Sequence, residues 1–186
     1  ELEKVEVTAN ANSNKLQLEQ PVSIVEMDNR ALKRGTGLFM DDAINTNVPG
    51  VFMQRRTQSG GQQINIRGYG SGMGFRGVSN NFDGQGVKMY LNGIPITDAE
   101  GITLMDDIDY GSVSNTSVLK GPSGTLYGLA IAGVINLKTE QAPKNKTIIG
   151  QDVMLGSYGL VRSTTRLSIG NENSSILVNY GNQKYD

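Results

Sequence analysis

A glycine-rich stretch between two strand-like runs constrains the fold of this chain more than any other feature. The runs occupy residues 117–120 and 133–138, and positions 121–133 contain Pro122 and four glycines. Apolar runs of this length are typical of strands, whereas glycine and proline mark the turns and loops that join them. The segment therefore predicts two short strands connected by an irregular loop.

The residue types that are absent narrow the chemistry of the chain. It has no cysteine, which excludes a disulfide framework and a thiolate metal site. It has no histidine, so the commonest general base and the commonest metal ligand are both missing. A net charge of −1 does not supply the basic field of a nucleic-acid-binding protein. We therefore expect neither an enzyme nor a nucleic-acid partner.

Acidic residues gather in one stretch, at Asp98, Glu100, Asp106, Asp107 and Asp109. Carboxylate oxygens are ligands for hard cations, but the spacing here does not fit a calcium-binding EF-hand loop. A solvated acidic turn fits the pattern better, so we predict no metal site.

Residues 20–142 predict a small α+β domain. A strand at residues 22–27 is followed by a short helix at 30–33, which Asp28 or Asn29 would cap. A second helix is expected at residues 39–47. Apolar or alternating runs predict further strands at residues 51–56, 63–67, 87–91, 113–119 and 133–139.

The pattern changes after residues 143–146. Three strands of nearly ten residues are predicted at positions 147–155, 161–169 and 175–182. In the second of them, apolar or small residues alternate with a polar and basic set that includes Arg162 and Arg166. The pattern alone favours an ordinary antiparallel sheet with one wet face, but strands of this length with one apolar face also suit a transmembrane β-barrel.

Several motifs occur in a fixed order along the chain. The longest consists of Leu119, Lys120, Gly121, Pro122, then Tyr127 and Gly128, then Gly133, Val134, Ile135 and Asn136. Shorter ones precede it, at residues 49–51, 66–68 and 92–95. Together they resemble the plug domain of TonB-dependent outer-membrane receptors. The resemblance implies an α+β plug domain, with a small mixed sheet, short helices and long Gly-rich loops, followed by antiparallel strands of a transmembrane β-barrel.

The resemblance also implies a division of the chain into three parts. Residues 1–19 would be a TonB-box-like segment and a flexible tether, residues 20–142 the plug, and residues 143–186 about three strands of an incomplete barrel. Three strands cannot close a barrel and would leave open edges, so we expect a longer receptor.

Three sets of site residues follow from the resemblance. The TonB box, which would add a strand to the partner TonB, comprises Glu3, Lys4, Val5, Glu6, Val7, Thr8 and Ala9. The apical loops, which would bind the ligand, contribute Tyr69, Phe75, Arg76, Phe82, Thr97 and Glu100. A plug–barrel lock would use Arg67 and Lys120, with carboxylates of the barrel wall as partners. From the residues alone, the box could equally be a frayed strand and the two cations surface charges of little energetic weight.

The implied function is TonB-dependent import of a scarce ligand, a ferric siderophore or a similar iron chelate, across the outer membrane of a Gram-negative bacterium. The plug would lie in the barrel lumen, the barrel in outer-membrane lipid, and no cofactor would be bound covalently. The alternative is a soluble periplasmic or extracellular ligand-binding module with a plug-like fold. A strand pattern that continues past Asp186 would favour the receptor.

Overall fold

The structure, a computed structural model, describes residues 23–35, 37, 39–54, 63–69, 86–97, 99, 103, 105, 108–122, 127–128 and 130–184. These residues belong to two compact units. The first contains the described parts of Glu1–Asp107 and Asn115–Lys138, and the second those of Ile108–Ser114 and Thr139–Asp186. A short internal segment, residues 108–114, therefore groups with the C-terminal strands although residues 115–145 separate it from the first of them in the sequence.

A five-stranded mixed sheet organises the first unit. The strands up to residue 139 are, in chain order, β1 (Ser23–Met27), β2 (Val51–Gln54), β3 (Gln63–Ile66), β4 (Val87–Leu91), β5 (Ile94–Pro95), β6 (Val113–Lys120) and β7 (Gly133–Thr139). The sheet order is β1-β6-β7-β4-β5, and β2 pairs with β3 separately. Strand β4 runs parallel to β7, whereas β1 and β6 are antiparallel. The predicted small mixed sheet is confirmed.

Strands β6 and β7 lie at the centre of the core. Val118, Leu119, Val134 and Ile135 are each at most 1% exposed. Because successive residues of a strand point to opposite faces, burial of two neighbours means that both faces of the sheet are covered. The near-continuous apolar sequence of these strands follows from this placement.

Gly133 begins β7 at a point of very close packing. A Cβ atom at this position would collide with the backbone carbonyl oxygen of Leu119 and with the Cδ1 atom of Ile66. The glycine of the motif is therefore required by space on the neighbouring strand, and not by a turn.

Two short helices follow β1. Helix α1 (Asn29–Leu32) begins at Asp28, whose carboxylate accepts the N–H of Ala31 at 2.7 Å, as expected for an N-cap. Helix α2 (Met40–Asn47) buries Ala43 and Ile44 completely. Both predicted helices are present, and Asp28 is the cap of the first.

The predicted end of β3 is wrong by a residue. The sequence predicted a strand through Arg67, but β3 ends at Ile66 and Arg67 has a φ of 52°. Three hydrogen bonds make the turn: the Tyr69 N–H donates to the Ile66 carbonyl, the Ile66 N–H to the Tyr69 carbonyl, and the Gly68 N–H to the Asn65 side chain. This closed turn places Arg67 in the left-handed region.

Three antiparallel strands form most of the second unit. They are β8 (Lys146–Leu155), β9 (Val161–Gly170) and β10 (Ser175–Lys184), in the order β10-β9-β8. All three match the predicted strands, each extended by one or two residues at one end. Among the described residues, no helix is both long and apolar enough to cross a membrane.

The two faces of this three-stranded sheet differ. One face aligns Ile149, Leu167 and Val178 in one row, and Thr147, Ile169 and Ile176 in the next. Four of these apolar side chains, those of Ile149, Ile169, Ile176 and Val178, are between 41% and 75% exposed. The opposite face contains the buried Thr164 and Ser168. One face of the sheet therefore exposes several apolar side chains, while two polar side chains on the opposite face are buried.

Candidate functional site

The two cations predicted as a lock converge at one end of the plug sheet. Lys120 ends β6, and its Nζ atom donates to the carbonyl oxygen of Pro49 at 3.0 Å. The backbone N–H of Arg67 donates to the carbonyl oxygen of the next residue, Gly50, at 2.9 Å. The turn at residues 49–50 thus holds both cationic residues in place.

The glycine that follows Lys120 is part of this arrangement. Gly121 has a φ of 126°, and a Cβ atom there would lie 3.9 Å from the Nη1 atom of Arg67. The guanidinium therefore lies beside the Lys-Gly-Pro motif. Burial, and secondarily the charge of Arg67, lowers the pKa of Lys120 below its ordinary value. Within the described part of the chain, neither cation forms an ion pair with a carboxylate.

Two of the predicted ligand-binding residues lie in the described part of the chain. Tyr69 is 59% exposed and is held through its backbone by the turn after β3. The hydroxyl of Thr97 accepts the N–H of Met89 at 2.9 Å and shares a hydrogen bond of 2.7 Å with the hydroxyl of Thr103. The ring of Tyr69 can reach a ligand, whereas the hydroxyl of Thr97 already has structural partners.

The remaining predicted site residues lie outside the described residues. They are Phe75, Arg76, Phe82 and Glu100 of the apical loops, and Glu3, Lys4, Val5, Glu6, Val7, Thr8 and Ala9 of the N-terminal box.

The Tyr-Gly part of the motif is an anchor for the plug core. The rings of Tyr127 and Tyr90 meet edge to face, with centroids 5.3 Å apart. Both rings pack against a buried cluster that includes Leu119 and Val134. Burial raises the pKa of the Tyr127 hydroxyl, and its hydrogen bond with Asn136 opposes this effect. These residues stabilise the loop between β6 and β7.

A set of contacts in the second unit reverses the charges of the predicted lock, in which the plug would carry the cations and the barrel the carboxylates. Here the strand β9 supplies the cations. The Nη1 atom of Arg166 lies 2.8 Å from the Oε2 atom of Glu140, and its Nη2 atom donates to the carbonyl oxygen of Gly111 at 3.2 Å. The short contact with Glu140 lacks the alignment of a hydrogen bond, so its contribution is Coulombic.

A second arginine of β9 faces the same internal segment. The Nη2 atom of Arg162 lies 4.0 Å from the Oδ1 atom of Asp109. That carboxylate also accepts the N–H of Gly111 at 3.0 Å and begins a one-turn 3-10 helix, Tyr110–Ser112. The alternation of β9 predicted a basic face, but the sequence gives no signal for its partners because they come from a separate stretch of chain.

Asp109 is also the described member of the acidic stretch. Its carboxylate is used in this turn and faces a guanidinium. Within the described residues, no group of three or more acidic, cysteine or histidine side chains could hold a metal ion.

Comparison with known proteins places this geometry in a family. Residues 16–134 match the family model described as TonB-dependent receptor plug domain. The vitamin B12 transporter BtuB of Vibrio vulnificus is 35% identical over 111 residues, which are 59% of this chain and 16% of the transporter. A pesticin receptor of Yersinia enterocolitica is 28% identical over 138 residues, 74% of this chain and 19% of the receptor.

Solved receptor structures share the fold. The siderophore receptor PiuA from Acinetobacter baumannii superposes with a TM-score of 0.70 at 22% identity, covering 98% of this chain and 24% of PiuA. The open form of the ferric-catecholate import receptor Fiu from E. coli K12 gives a TM-score of 0.63 at 23% identity, covering 89% of this chain and 22% of Fiu. The chain therefore spans a quarter or less of the length of these relatives.

Proposed function

The chain belongs to the family of TonB-dependent receptor plug domains, and we propose that it forms the plug and first strands of an outer-membrane receptor that imports a scarce ligand. The plug would close the pore at rest. Binding of the ligand outside, and of the energy-transducing protein TonB inside, would open it.

The exposed apolar face of the three-stranded sheet carries this proposal. Each strand has ten residues, and Ile149 and Val178, which lie in the same cross-strand row, remain 75% and 51% exposed. Transmembrane strands of about 9–11 residues present such a face to lipid. A soluble binding module would have to cover this face with protein, so the receptor is the better interpretation.

Strand pairing supports a longer barrel. Within the described residues, β8 and β10 each pair with β9 alone, which leaves one edge of each without a partner strand. In lipid every backbone N–H and carbonyl group must be paired, so edges of this kind require neighbouring strands. We propose that further strands of the same receptor supply them.

Iron chelates are the ligand class that we propose. Among the matching structures, PiuA is named as a siderophore receptor and Fiu as a ferric-catecholate import receptor. Vitamin B12 and hemin, named for two of the relatives, are the competing ligands for the test. The exposed ring of Tyr69, with Phe75, Arg76, Phe82 and Glu100, would contact the chelate, since aromatic and cationic groups suit large anionic or catecholate ligands. Thr97 would position its loop through the hydroxyl bonds to Met89 and Thr103.

Arg67 and Lys120 would form the lock to the barrel wall. The Arg67 guanidinium lies beside the Lys-Gly-Pro motif, and burial, together with the charge of Arg67, lowers the pKa of Lys120. A barrel carboxylate would relieve this penalty. Lys120→Arg should preserve the lock and Lys120→Met should weaken it, measured as passive entry of a bulky antibiotic into cells that carry the complete receptor.

Residues 3–9 would bind TonB by strand addition. Val5 and Val7 alternate with polar residues, and main-chain pairing would supply the affinity. Val7→Pro should abolish ligand uptake, because proline removes a backbone donor and fixes φ, whereas Val7→Ala should largely retain it.

Uptake by the complete receptor tests the proposed function. The receptor is expressed in a Gram-negative strain that lacks its own iron-chelate receptors, and ⁵⁵Fe uptake is measured with ferric catecholate, ferric hydroxamate and hemin, alongside labelled vitamin B12. We expect saturable uptake of an iron chelate that disappears in a matched strain without TonB. Uptake of vitamin B12 alone would overturn the ligand class, and the absence of TonB-dependent uptake of all four would overturn the function.

A further inference from the structure

We propose that Arg162 and Arg166 form an ionic clasp that holds the internal segment Ile108–Ser114 on the polar face of the strand sheet. The segment lies inside the part of the chain that matches the plug family, residues 16–134. It nevertheless belongs to the same compact unit as β8, β9 and β10. The clasp is therefore a tie between plug sequence and strand sequence.

The clasp has two charged contacts on the same face of β9, with Thr164 between the two arginines. Arg166 reaches the Glu140 carboxylate and the Gly111 carbonyl oxygen, at 2.8 and 3.2 Å. Arg162, four residues earlier and therefore two strand periods away, faces the Asp109 carboxylate at 4.0 Å. Since residues two and four apart share a strand face, both guanidinium groups lie on the same side of the sheet.

The backbone of the segment is shaped to meet these cations. Asp109 and Ser112 close a tight turn, in which the Ser112 N–H donates to the Asp109 carbonyl at 2.9 Å. The Glu140 N–H donates to the Ser112 carbonyl at 3.0 Å. This bond joins the turn to residues 139–186, the longer part of the second unit. A Cβ atom at Gly111 would lie 3.2 Å from the Nη2 atom of Arg162. Glycine at this position lets the guanidinium approach the backbone.

A glycine of the neighbouring strand β10 also lies near Asp109. A Cβ atom at Gly181 of β10 would lie 3.7 Å from the Oδ1 atom of Asp109. Because Gly181 has no side chain, the Asp109 carboxylate can lie close to β10, beside Arg162.

Both arginines of the clasp face carboxylates that are partly exposed. The side chains of Arg162 and Arg166 are 13% and 20% exposed, and those of Asp109 and Glu140 are 43% and 31% exposed. Ion pairs at this depth keep contact with solvent ions and are weakened by salt. A hold of this kind can be released without exposing buried apolar surface. This consequence rests on the proposed function, in which the plug must be loosened from the strands during import.

Hydrogen exchange in the complete receptor tests the clasp without ligand and without TonB. The reporters are the amides of Gly111, Ser112 and Glu140. In the double variant Arg162→Ala/Arg166→Ala we expect their exchange to rise at least tenfold. Asp109→Asn/Glu140→Gln removes the negative partners of the two arginines while leaving the strands intact, and should also raise exchange. Lys184→Ala, which removes an exposed cation from the opposite face of the sheet, is the matched control and should change nothing.

Salt separates an ionic clasp from simple packing. In the parent receptor, exchange of these amides should rise severalfold between 0.05 and 0.5 M salt, whereas in the double variant it should be independent of salt. The double variant should also admit more of a bulky antibiotic into cells that lack TonB. The proposal would be overturned if exchange were unchanged in both charge-removing variants, or if Lys184→Ala raised it equally. It would also be overturned if the salt response survived in the double variant, or if exchange became faster without more antibiotic entry. None of these readouts depends on ligand uptake. The clasp can therefore fail while the proposed function stands, and the proposed function can fail while the clasp stands.

Discussion

The side-chain amide of Asn45 pairs with both backbone groups of Met53. It donates to the Met53 carbonyl oxygen and accepts the Met53 N–H, each at 2.8 Å. Asn45 lies on α2 and Met53 on β2, so one side chain takes the place of a neighbouring strand. The edge of the β2–β3 pair is closed by a helix side chain, as edges of sheets must be to avoid pairing with other chains.

We expect Asn45→Ala to loosen β2 locally. The variant removes two hydrogen bonds and leaves the Met53 N–H and carbonyl without them, at a cost of about 1–3 kcal/mol. Exchange of the Met53 amide in the complete receptor should therefore increase by about one to two orders of magnitude. Gln54→Ala, which truncates the exposed neighbour on the same strand, is the control. If the Met53 amide exchanged equally fast in both variants, the amide pairing would have no role in holding the edge.

Gly133→Ala should prevent the plug from packing. The new Cβ would collide with the Leu119 carbonyl oxygen, a backbone atom of the adjacent strand that cannot rotate away. Overpacking of this kind typically costs about 1–3 kcal/mol or more. Gly150→Ala is the matched control, because its Cβ would meet nothing closer than the Cβ of Arg166 at 3.8 Å. The yield and melting temperature of the folded receptor should fall for Gly133→Ala only, and equal values for the two variants would contradict the close packing.

Gly133 and Arg162 differ in how much of their role the sequence predicts. The strands and the Asp28 cap could be predicted because local pattern and spacing determine them. Gly133 is visible in the motif, but the reason for a glycine there is its close contact with Leu119 of β6, which local pattern does not contain. The partners of Arg162 and Arg166 come from residues 109–111 and from Glu140, so their assignment depends on which stretch of chain reaches the sheet. Arg67 and Lys120 could be named as candidate lock residues from the family motif, whereas their proximity and their shared attachment to the turn at residues 49–50 depend on contacts between distant parts of the chain.

Glu26 gives the plug a specific dependence on pH. Burial raises the pKa of this carboxyl, and the nearby charge of Lys138 partly offsets the shift. A folded-state pKa above the unfolded one means that the folded protein binds the proton more tightly. The contribution to stability is therefore fully present below the model-compound value of 4.5, and it is lost as the pH rises through the higher folded pKa.

Glu26→Gln should consequently stabilise the plug at neutral pH. The variant avoids the burial of a charge, and since the site is only partly buried we expect a gain below about 1 kcal/mol. The difference in melting temperature between variant and parent should shrink as the pH is lowered towards 4. A difference that is constant from pH 4 to pH 8 would show that the gain comes from packing and not from ionisation.

Ile148 and Ile149 offer a matched pair for testing the membrane-facing surface. They are neighbours on β8 and point to opposite faces of the sheet, 47% and 75% exposed. Ile149 lies in the apolar row with Leu167 and Val178, whereas Ile148 lies opposite Ser168 on the polar face. If the proposed function is right, only the first of these faces meets lipid.

Ile149→Arg should therefore impair assembly of the receptor far more than Ile148→Arg. An arginine on the lipid face of a transmembrane strand costs about 2–4 kcal/mol at the bilayer midplane, and this cost falls towards the interfaces. The same side chain on the polar face can remain hydrated or pair with acidic groups. The measurement is the fraction of receptor that is heat-modifiable and protease-resistant in isolated outer membranes. Ile149→Lys should reproduce the defect and Ile149→Val should not, because the charge and not the change of shape is responsible. Equal assembly of Ile148→Arg and Ile149→Arg would mean that the exposed apolar face is covered by protein, and the soluble binding module would then replace the receptor as the better account of this sheet.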